Sequence, residues 1–273
     1  MSSSRFPETN SRPIALVTGA AGGIGGRLVT RLVAQGYHVL AFSRKADTAQ
    51  QPFVTSIACD LTQPAQIEAA VADLAAKKIN LQAIVHCAGV ITPQRMGTTN
   101  TACVSAQLMV NLEAPILLTM LALPLLPAGA HIVFINSMAA LVPLEGSSIY
   151  TASKFGLRGF ALSLAQDVEK RGIHVSSVFP GAVDTPMLRR EIDAGGSPLN
   201  FVTAPATADE IAAIVQKLLR VPRAEVFCPS SDGVLAQLML MMPRVWRLVL
   251  PVLLKKGRKG QKKYLAAQQP SDK

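Results

Sequence analysis

The stretch Ile14-Ala15-Leu16-Val17-Thr18-Gly19-Ala20-Ala21-Gly22-Gly23-Ile24-Gly25 decides the fold. Its first five residues form an apolar run of strand length. The glycines at 19, 22, 23 and 25 break that run with a turn, and from Ile24 to Gln35 apolar residues recur at helical spacing. Strand, glycine-rich loop and helix in that order suit a bound phosphate. Glycine permits the tight turn and lets backbone N–H groups close on a pyrophosphate, and the helix N-terminus favours its charge. The spacing is not G-x-G-x-x-G, so the loop's place between first strand and first helix carries the reading, not the glycines alone.

Working outward, apolar runs recur at Tyr37 to Phe42, Phe53 to Ala58, Ala83 to Cys87, His131 to Asn136, Ile173 to Phe179 and Glu225 to Cys228, with helix-length segments between them. Near-continuous Val/Ile/Ala strands alternating with helices mark a parallel sheet covered on both faces. Thr207 and Glu210 have the spacing of a capping box that opens the helix before the seventh run. The expected fold is α/β, a doubly wound, Rossmann-like parallel sheet of about seven strands in one domain. It should span residues 13–232, with a disordered lead at 1–12 and a C-terminal apolar and basic segment at 233–273.

Composition agrees with one large core: 273 residues, 49% hydrophobic and 16% charged, which excludes disordered, collagenous and disulfide-rich classes. Cys59, Cys87, Cys103 and Cys228 lie far apart with no C-x-x-C pair, so they read as buried thiols in a reducing compartment rather than metal or redox ligands. His38, His131 and His174 fall at strand starts and suggest no metal site. The first residues, MSSSRFPETNSRP, contain no apolar run of the secretory kind, and the expected location is the cytoplasm. The net charge of +10 is concentrated: Arg244, Arg247, Lys255, Lys256, Arg258, Lys259, Lys262 and Lys263 supply +8 with no acid among residues 234–263. A cationic cluster at one end, next to an apolar segment, argues against nucleic acid as the partner.

The end of the second strand should meet the adenosine ribose, where a carboxylate would select NAD. Here stands Ser43-Arg44-Lys45, with a guanidinium able to grip a 2′-phosphate, so NADP(H) is the better electrostatic match. Asp60, after the third strand, is placed either to accept from the adenine amino group or to cap a turn. Farther on, Tyr150 and Lys154 lie four residues apart at the head of a helical pattern, on one face. A nearby ammonium in a partly dry site is expected to depress the phenol pKa and fit it for proton exchange. Thirteen residues before Tyr150, Ser137 ends the fifth strand, and a hydroxyl there faces the crevice where such sheets bind ligands.

In these motifs the chain resembles the short-chain dehydrogenase/reductase family, in its compact single-domain branch, over roughly Pro13 to Gly233. Thr18-Gly19-x-x-x-Gly23-Ile24-Gly25 matches the family's cofactor loop, and His86-Cys87-Ala88-Gly89 stands where the family has N-N-A-G. Asn111 fits its helix asparagine, Ser137, Tyr150 and Lys154 its catalytic set, and Pro180-Gly181 with Thr185 its P-G-x-x-x-T. The resemblance implies a nicotinamide-dependent oxidoreductase. Tyr150 would be the general acid/base, Ser137 would hydrogen-bond the reacting oxygen, and Lys154 would lower the phenol pKa and hold the nicotinamide ribose. Asn111 would seat a water in the proton relay, and Thr185 would contact the cofactor carboxamide. Ala88, Gly89, Pro180 and Gly181 would line the cofactor cleft, and a homodimer or homotetramer is implied. One departure is His86-Cys87 in place of two asparagines, which puts the strand-end hydrogen bonding in question because a thiol is a poor substitute for an amide. His86 is not expected to be catalytic.

Apolar residues beside the serine (Leu141, Val142, Pro143, Leu144) and after Pro180-Gly181 (Met187, Leu188, Leu199, Phe201, Val202) point to a small hydrophobic carbonyl or alcohol substrate, lipid-derived in the leading reading. Arg189 and Arg190 either meet an anionic headgroup or face water. The apolar segment from Val234 to Leu254 is interrupted by Arg244, Arg247, Pro243 and Pro251, which argues against a membrane-spanning helix. It reads as an interfacial segment that docks on an anionic membrane surface through residues 234–263. The rival reading is a helix packed on the domain or a partner subunit, followed by a disordered basic tail. A protein that binds NADP(H) at a membrane as a regulator or scaffold, without turnover, is the alternative function. A sugar-nucleotide epimerase fits poorly because no substrate domain follows the sheet.

Overall fold

The computed structural model describes residues 12–45 and 51–268, so the lead expected at 1–12 lies, apart from Arg12, outside the described residues. The first half runs β1 (Ile14–Thr18), α1 (Gly23–Ala34), β2 (His38–Ser43), β3 (Val54–Ala58), α2 (Pro64–Ala76) and β4 (Leu81–His86). Then come α3 (Thr101–Leu108), α4 (Ala114–Ala122), β5 (His131–Ile135), α5 (Ser148–Val168) and β6 (His174–Pro180). The chain ends with β7 (Val183–Asp184), α6 (Pro186–Asp193), β8 (Ala206–Thr207), α7 (Ala208–Leu218), β9 (Glu225–Cys228), α8 (Ser230–Met241) and α9 (Pro243–Gln268). Seven strands form a parallel sheet in the order β3-β2-β1-β4-β5-β6-β9, and β7 pairs with β8 in a separate two-stranded ladder. The order reverses between β1 and β4, and the loops leaving those two strands open a crevice there.

Side-chain alternation along the strands builds two cores. Leu16, Ile84, Ile132 and Phe134 face Ile67 and Leu74 of α2, Leu118 of α4 and Leu157 of α5. Ala15, Val17, Val85 and Val133 face Leu28 and Leu32 of α1 and Ile211 and Val215 of α7. Each fully buried Leu or Ile contributes roughly 1.5–3 kcal/mol, and a one-residue slip would send the larger Leu, Ile and Phe set into the core shaped for Ala and Val, so the difference in size between the two sets fixes the register. Thr207 and Glu210 make the capping box of α7. The run from Thr101 to Leu125 is long and apolar enough to cross a membrane, but in this structure its Ala114, Leu118 and Ala122 are buried in the core.

The C-terminal segment is helical and packed. α8 begins at Ser230 and runs through the position expected as the boundary between domain and appendage. α9 lies on the short turn at Pro198–Phe201. A Cβ at Gly257 would come within 2.1 Å of the Pro198 carbonyl oxygen, and one at Gly260 within 2.1 Å of the Phe201 carbonyl oxygen, so backbone rests on backbone. Tyr264 packs on Phe201 and its hydroxyl donates to Asp184 Oδ1 at 2.7 Å. The inner side thus follows the packed-helix reading, but the basic residues are no disordered tail: those from Lys255 to Lys263 lie along the exposed side of α9.

Candidate active site

The glycine loop is held as a cradle. Gly19 has φ +66°, and a Cβ there would lie 2.7 Å from Ala88 Cα; one at Gly25 would lie 2.1 Å from the Gly19 carbonyl oxygen. At Gly23 a Cβ would meet the Thr185 methyl at 2.7 Å, which brings the loops after β1 and β6 together. The first turn of α1 carries neither a side-chain cap nor an acid, so its N–H groups suit an anion. A nicotinamide dinucleotide fits this cradle. Thr18 ties the two sides of the crevice: its Oγ1 accepts from Cys87 N and Ala88 N, both at 3.1 Å. Backbone donors therefore do the strand-end bonding that the His86-Cys87 departure put in question. His86 turns into the core, stacks on Phe134 and pairs with Thr119 Oγ1 at 2.9 Å; burial lowers its pKa to about 3, so it stays neutral.

Ser137, Tyr150 and Lys154 come together in one cavity of about 230 Å³ with Ile24, Ala88, Gly89, Pro180, Gly181 and Thr185 in its wall. Ser137 sits just past β5, its N–H donating to Asn136 Oδ1 at 3.0 Å and its Oγ accepting from Ala139 N at 3.1 Å. Lys154 Nζ donates to the Ile135 carbonyl at 3.1 Å and lies 5.8 Å from the centre of the Tyr150 ring. The expected depression of the phenol pKa is corrected here. Burial pushes Tyr150 up to about 12, the Ser137 hydroxyl offsets part of that rise, and Glu191 adds to it. The ammonium, aimed at the Ile135 carbonyl, is itself lowered to about 8 by burial, with Cys87 opposing. Near neutral pH the phenol is a proton donor.

Asn111 is buried in a π-turn, Met109–Glu113, between α3 and α4. Its Oδ1 accepts from Val90 N at 2.8 Å, and its Nδ2 donates to the Val90 carbonyl at 2.8 Å and to Ser153 Oγ at 3.2 Å. The side chain is thus committed to protein partners. Its own carbonyl lacks the α-helical donor four residues on, because position 115 is proline. Arg44 follows β2 and is exposed, and Ser43 Oγ bonds the Lys45 carbonyl at 2.5 Å. Asp60 takes the turn alternative, its Oδ1 accepting from Thr62 N at 2.9 Å and Thr62 Oγ1 at 2.8 Å.

A family model described as short chain dehydrogenase matches residues 13–194. The chain belongs to the short-chain dehydrogenase family. Its relatives include the 1-deoxy-11-beta-hydroxypentalenate dehydrogenase of Streptomyces exfoliatus, 33% identical over 253 residues, covering 86% of this chain and 89% of that protein. Another is the 2-(R)-hydroxypropyl-CoM dehydrogenase of Xanthobacter autotrophicus, 30% identical, covering 66% of this chain and 78% of that protein. Among solved structures, a short chain dehydrogenase from Burkholderia cenocepacia in complex with NADP superposes with a TM-score of 0.71 at 29% identity, covering 81% of this chain and 97% of that one. As a short-chain dehydrogenase the chain is an oxidoreductase of carbonyl and alcohol groups, on a fold that binds a nicotinamide cofactor.

The rest of this short-chain dehydrogenase's cavity was only partly foreseen. Val142, Leu144, Met187, Leu188, Leu199 and Val202 line it as expected, whereas Leu141, Pro143 and Phe201 do not; Arg189 and Arg190 take the solvent alternative, both exposed, with Arg189 3.7 Å from Asp184. Sequence reasoning missed the roof. Leu235 and Ala236 of α8 and Trp246 and Leu253 of α9 close over the cavity, and Glu191, Asn200, Thr203 and Asp232 enter its wall. The two glycines three apart at 257 and 260, on an otherwise bulky helix, were the available sign of close docking.

Proposed function

We propose that this chain is an NADP(H)-dependent oxidoreductase that interconverts a carbonyl and a secondary alcohol on a hydrophobic, lipid-derived substrate. The observation that carries this reading is the convergence of Ser137, Tyr150 and Lys154 in one cavity whose remaining wall is largely apolar. Gly19, Gly23, Ile24, Gly25, Ala88, Gly89, Pro180, Gly181 and Thr185 would hold the cofactor, which when bound supplies or accepts a hydride at the reacting carbon. Tyr150, a neutral phenol, gives its proton to the carbonyl oxygen in reduction and recovers it in oxidation. Ser137 donates a hydrogen bond to that oxygen, so charge developing there meets a fixed dipole. Lys154 keeps a positive charge beside the phenol and is positioned to replenish the proton, with Asn111 seating a relay water. A panel of apolar ketones with NADPH tests the reading; NADPH binding with no turnover of any ketone would favour the regulatory or scaffold alternative.

The preference for NADP(H) rests on Ser43-Arg44-Lys45 after β2, where a guanidinium stands in place of a carboxylate that would repel a 2′-phosphate. Arg44→Ala is expected to lower the ratio of kcat/KM for NADPH over NADH by about 10- to 100-fold, the worth of a charged hydrogen bond to phosphate. Equal efficiency of the two cofactors in the wild type would overturn the assignment.

Homodimers or homotetramers are proposed with it, supported by exposed Met120 on α4 and Leu162 on α5. We further propose that the protein docks on an anionic bilayer at the cytoplasmic face. Outward from the roof, Met241 is 81%, Leu248 78% and Val252 67% exposed, and the charges among residues 234–263 are all positive. Leu235, on the same helix as Met241, both lines the cavity and is 46% exposed. A chain cut near residue 232 would lose the roof as well as the patch, so substitutions are the cleaner probe. Cosedimentation with phosphatidylserine-containing vesicles is expected to fall at least about tenfold in the double variant Met241→Asp, Leu248→Asp. Wild-type protein that fails to sediment with those vesicles would remove the claim.

A further inference from the structure

Outside the Ser137, Tyr150 and Lys154 set, the cavity carries a second polar group of opposite character. Glu191, on α6, lines the cavity while only 8% exposed, and its charge is felt at Tyr150. Its Oε1 accepts from Asn200 Nδ2 at 2.6 Å, and among the described residues that is the single side-chain donor it receives. A carboxylate can accept about four hydrogen bonds, so most of this one's capacity is unused in an apolar surrounding that penalises its charge. The backbone is shaped around it: a Cβ at Gly196 would lie 2.5 Å from Glu191 Cγ, and Gly196 N donates to the Glu191 carbonyl at 2.8 Å. The same wall carries Asp232, accepting from Thr203 Oγ1 at 3.0 Å, and Asn200. The cation in the lining is Lys154, at the catalytic end, while Arg189 and Arg190 are turned to solvent.

We infer that Glu191, with Asn200 fixing its carboxylate, reads a hydrogen-bond donor on the substrate. This inference rests on the carbonyl-alcohol reading and deepens it. The substrate has an apolar body, a reacting carbonyl or alcohol at Ser137 and Tyr150, and a second group that donates, a hydroxyl or an ammonium. A carboxylate or phosphate at that position would find no cation to pair with, since among the described residues the polar groups in this part of the wall are Glu191, Asn200, Thr203 and Asp232. A carboxylate needed only to hold the 198–201 turn would sit equally well with its free oxygen in solvent; this one is buried in the wall of the cavity where the reaction takes place.

The test uses full-length protein, NADPH and a series of straight-chain methyl ketones that carry a hydroxyl, an ammonium or a methoxy group at stepped distances from the carbonyl. Methoxy matches hydroxyl in shape but cannot donate. At the best spacing the wild type is expected to prefer the hydroxyl or ammonium ketone over its methoxy partner by about 10- to 100-fold in kcat/KM, mainly through KM. In Glu191→Gln, which keeps the contact with Asn200, the hydroxyl preference should shrink to within about threefold and the ammonium preference should vanish. Glu191→Leu, checked for folding by its melting curve, should lose both. If only the ammonium ketone is preferred, the donor is cationic; if both are, a hydroxyl suffices. Equal kcat/KM for donor and methoxy ketones at every spacing, or a preference unchanged in Glu191→Gln, overturns the inference. If no ketone is turned over, the reductase reading fails on its own. The Glu191 question is then decided by binding: diols must raise the melting temperature in NADPH more than their monomethyl ethers do, and equal shifts overturn it.

Discussion

Tyr150→Phe should lower kcat by about 10² to 10⁴, the span of general acid–base catalysis, while leaving NADPH affinity within about threefold of wild type. The substitution removes one oxygen from a half-buried ring. Ser137 stays anchored by Asn136 and Ala139, Lys154 keeps its bond to the Ile135 carbonyl, and the glycine cradle is untouched. Pre-steady-state mixing with NADPH and a ketone separates the two effects, since binding should be seen without the following oxidation. Because burial holds the phenol near 12, the wild type's reductive rate should stay flat on the acidic side of neutrality, with the acid already protonated. Normal turnover by the phenylalanine variant would show that another group delivers the proton.

Lys154→Met is expected to abolish most turnover and, without cofactor, to make the protein more stable. Burial takes the Lys154 pKa from 10.5 down to about 8, so at neutral pH the native state holds an ammonium that is less favourable there than in water. The sign follows from proton counts. Between pH 8 and 10.5 the unfolded chain binds more protons than the native one, so wild-type stability gained from this group rises with pH over that window. Below pH 8 the cost is fully present. At pH 7 the variant should exceed wild type by roughly 2 kcal/mol, after allowing about 1 kcal/mol for the Ile135 carbonyl's lost donor, and the difference should close as pH rises toward 10.5. Urea unfolding at pH 7 and pH 10 measures it; a difference that does not change with pH would show that desolvation of Lys154 is not its source.

Most of the sheet could be read directly because buried parallel strands are apolar on both faces, so period and composition agree for Ile14–Thr18, His131–Ile135 and His174–Pro180. β4 begins earlier than the run at Ala83 suggested, because Gln82 faces Ile14 and takes its N–H on Oε1 at 2.6 Å, a long-range partner that local pattern does not reveal. The two-residue strands β7 and β8 carry no period at all. Ser137, Tyr150 and Lys154 were legible from order and spacing, but the phenol's raised pKa depends on burial in the folded cavity, which local spacing does not show. Glu191 sits in a helix whose polar and apolar residues alternate as on any surface helix, and only the folding of that helix over the crevice turns it inward. The basic segment showed its charge in the sequence but not which side of the helix would be covered.

α9 is 26 residues long, a rod of about 39 Å at 1.5 Å per residue, with its hydrogen-bond ladder interrupted at Pro251. Trp246 and Leu253 line the cavity from the first part of this rod, and the cations from Lys255 to Lys263 follow, with Gly257 and Gly260 among them seated on the Pro198 and Phe201 carbonyls. Whatever binds these cations therefore holds the same helix that roofs the cavity, so occupancy of the outer surface and the ceiling over the reacting carbon are joined in one element.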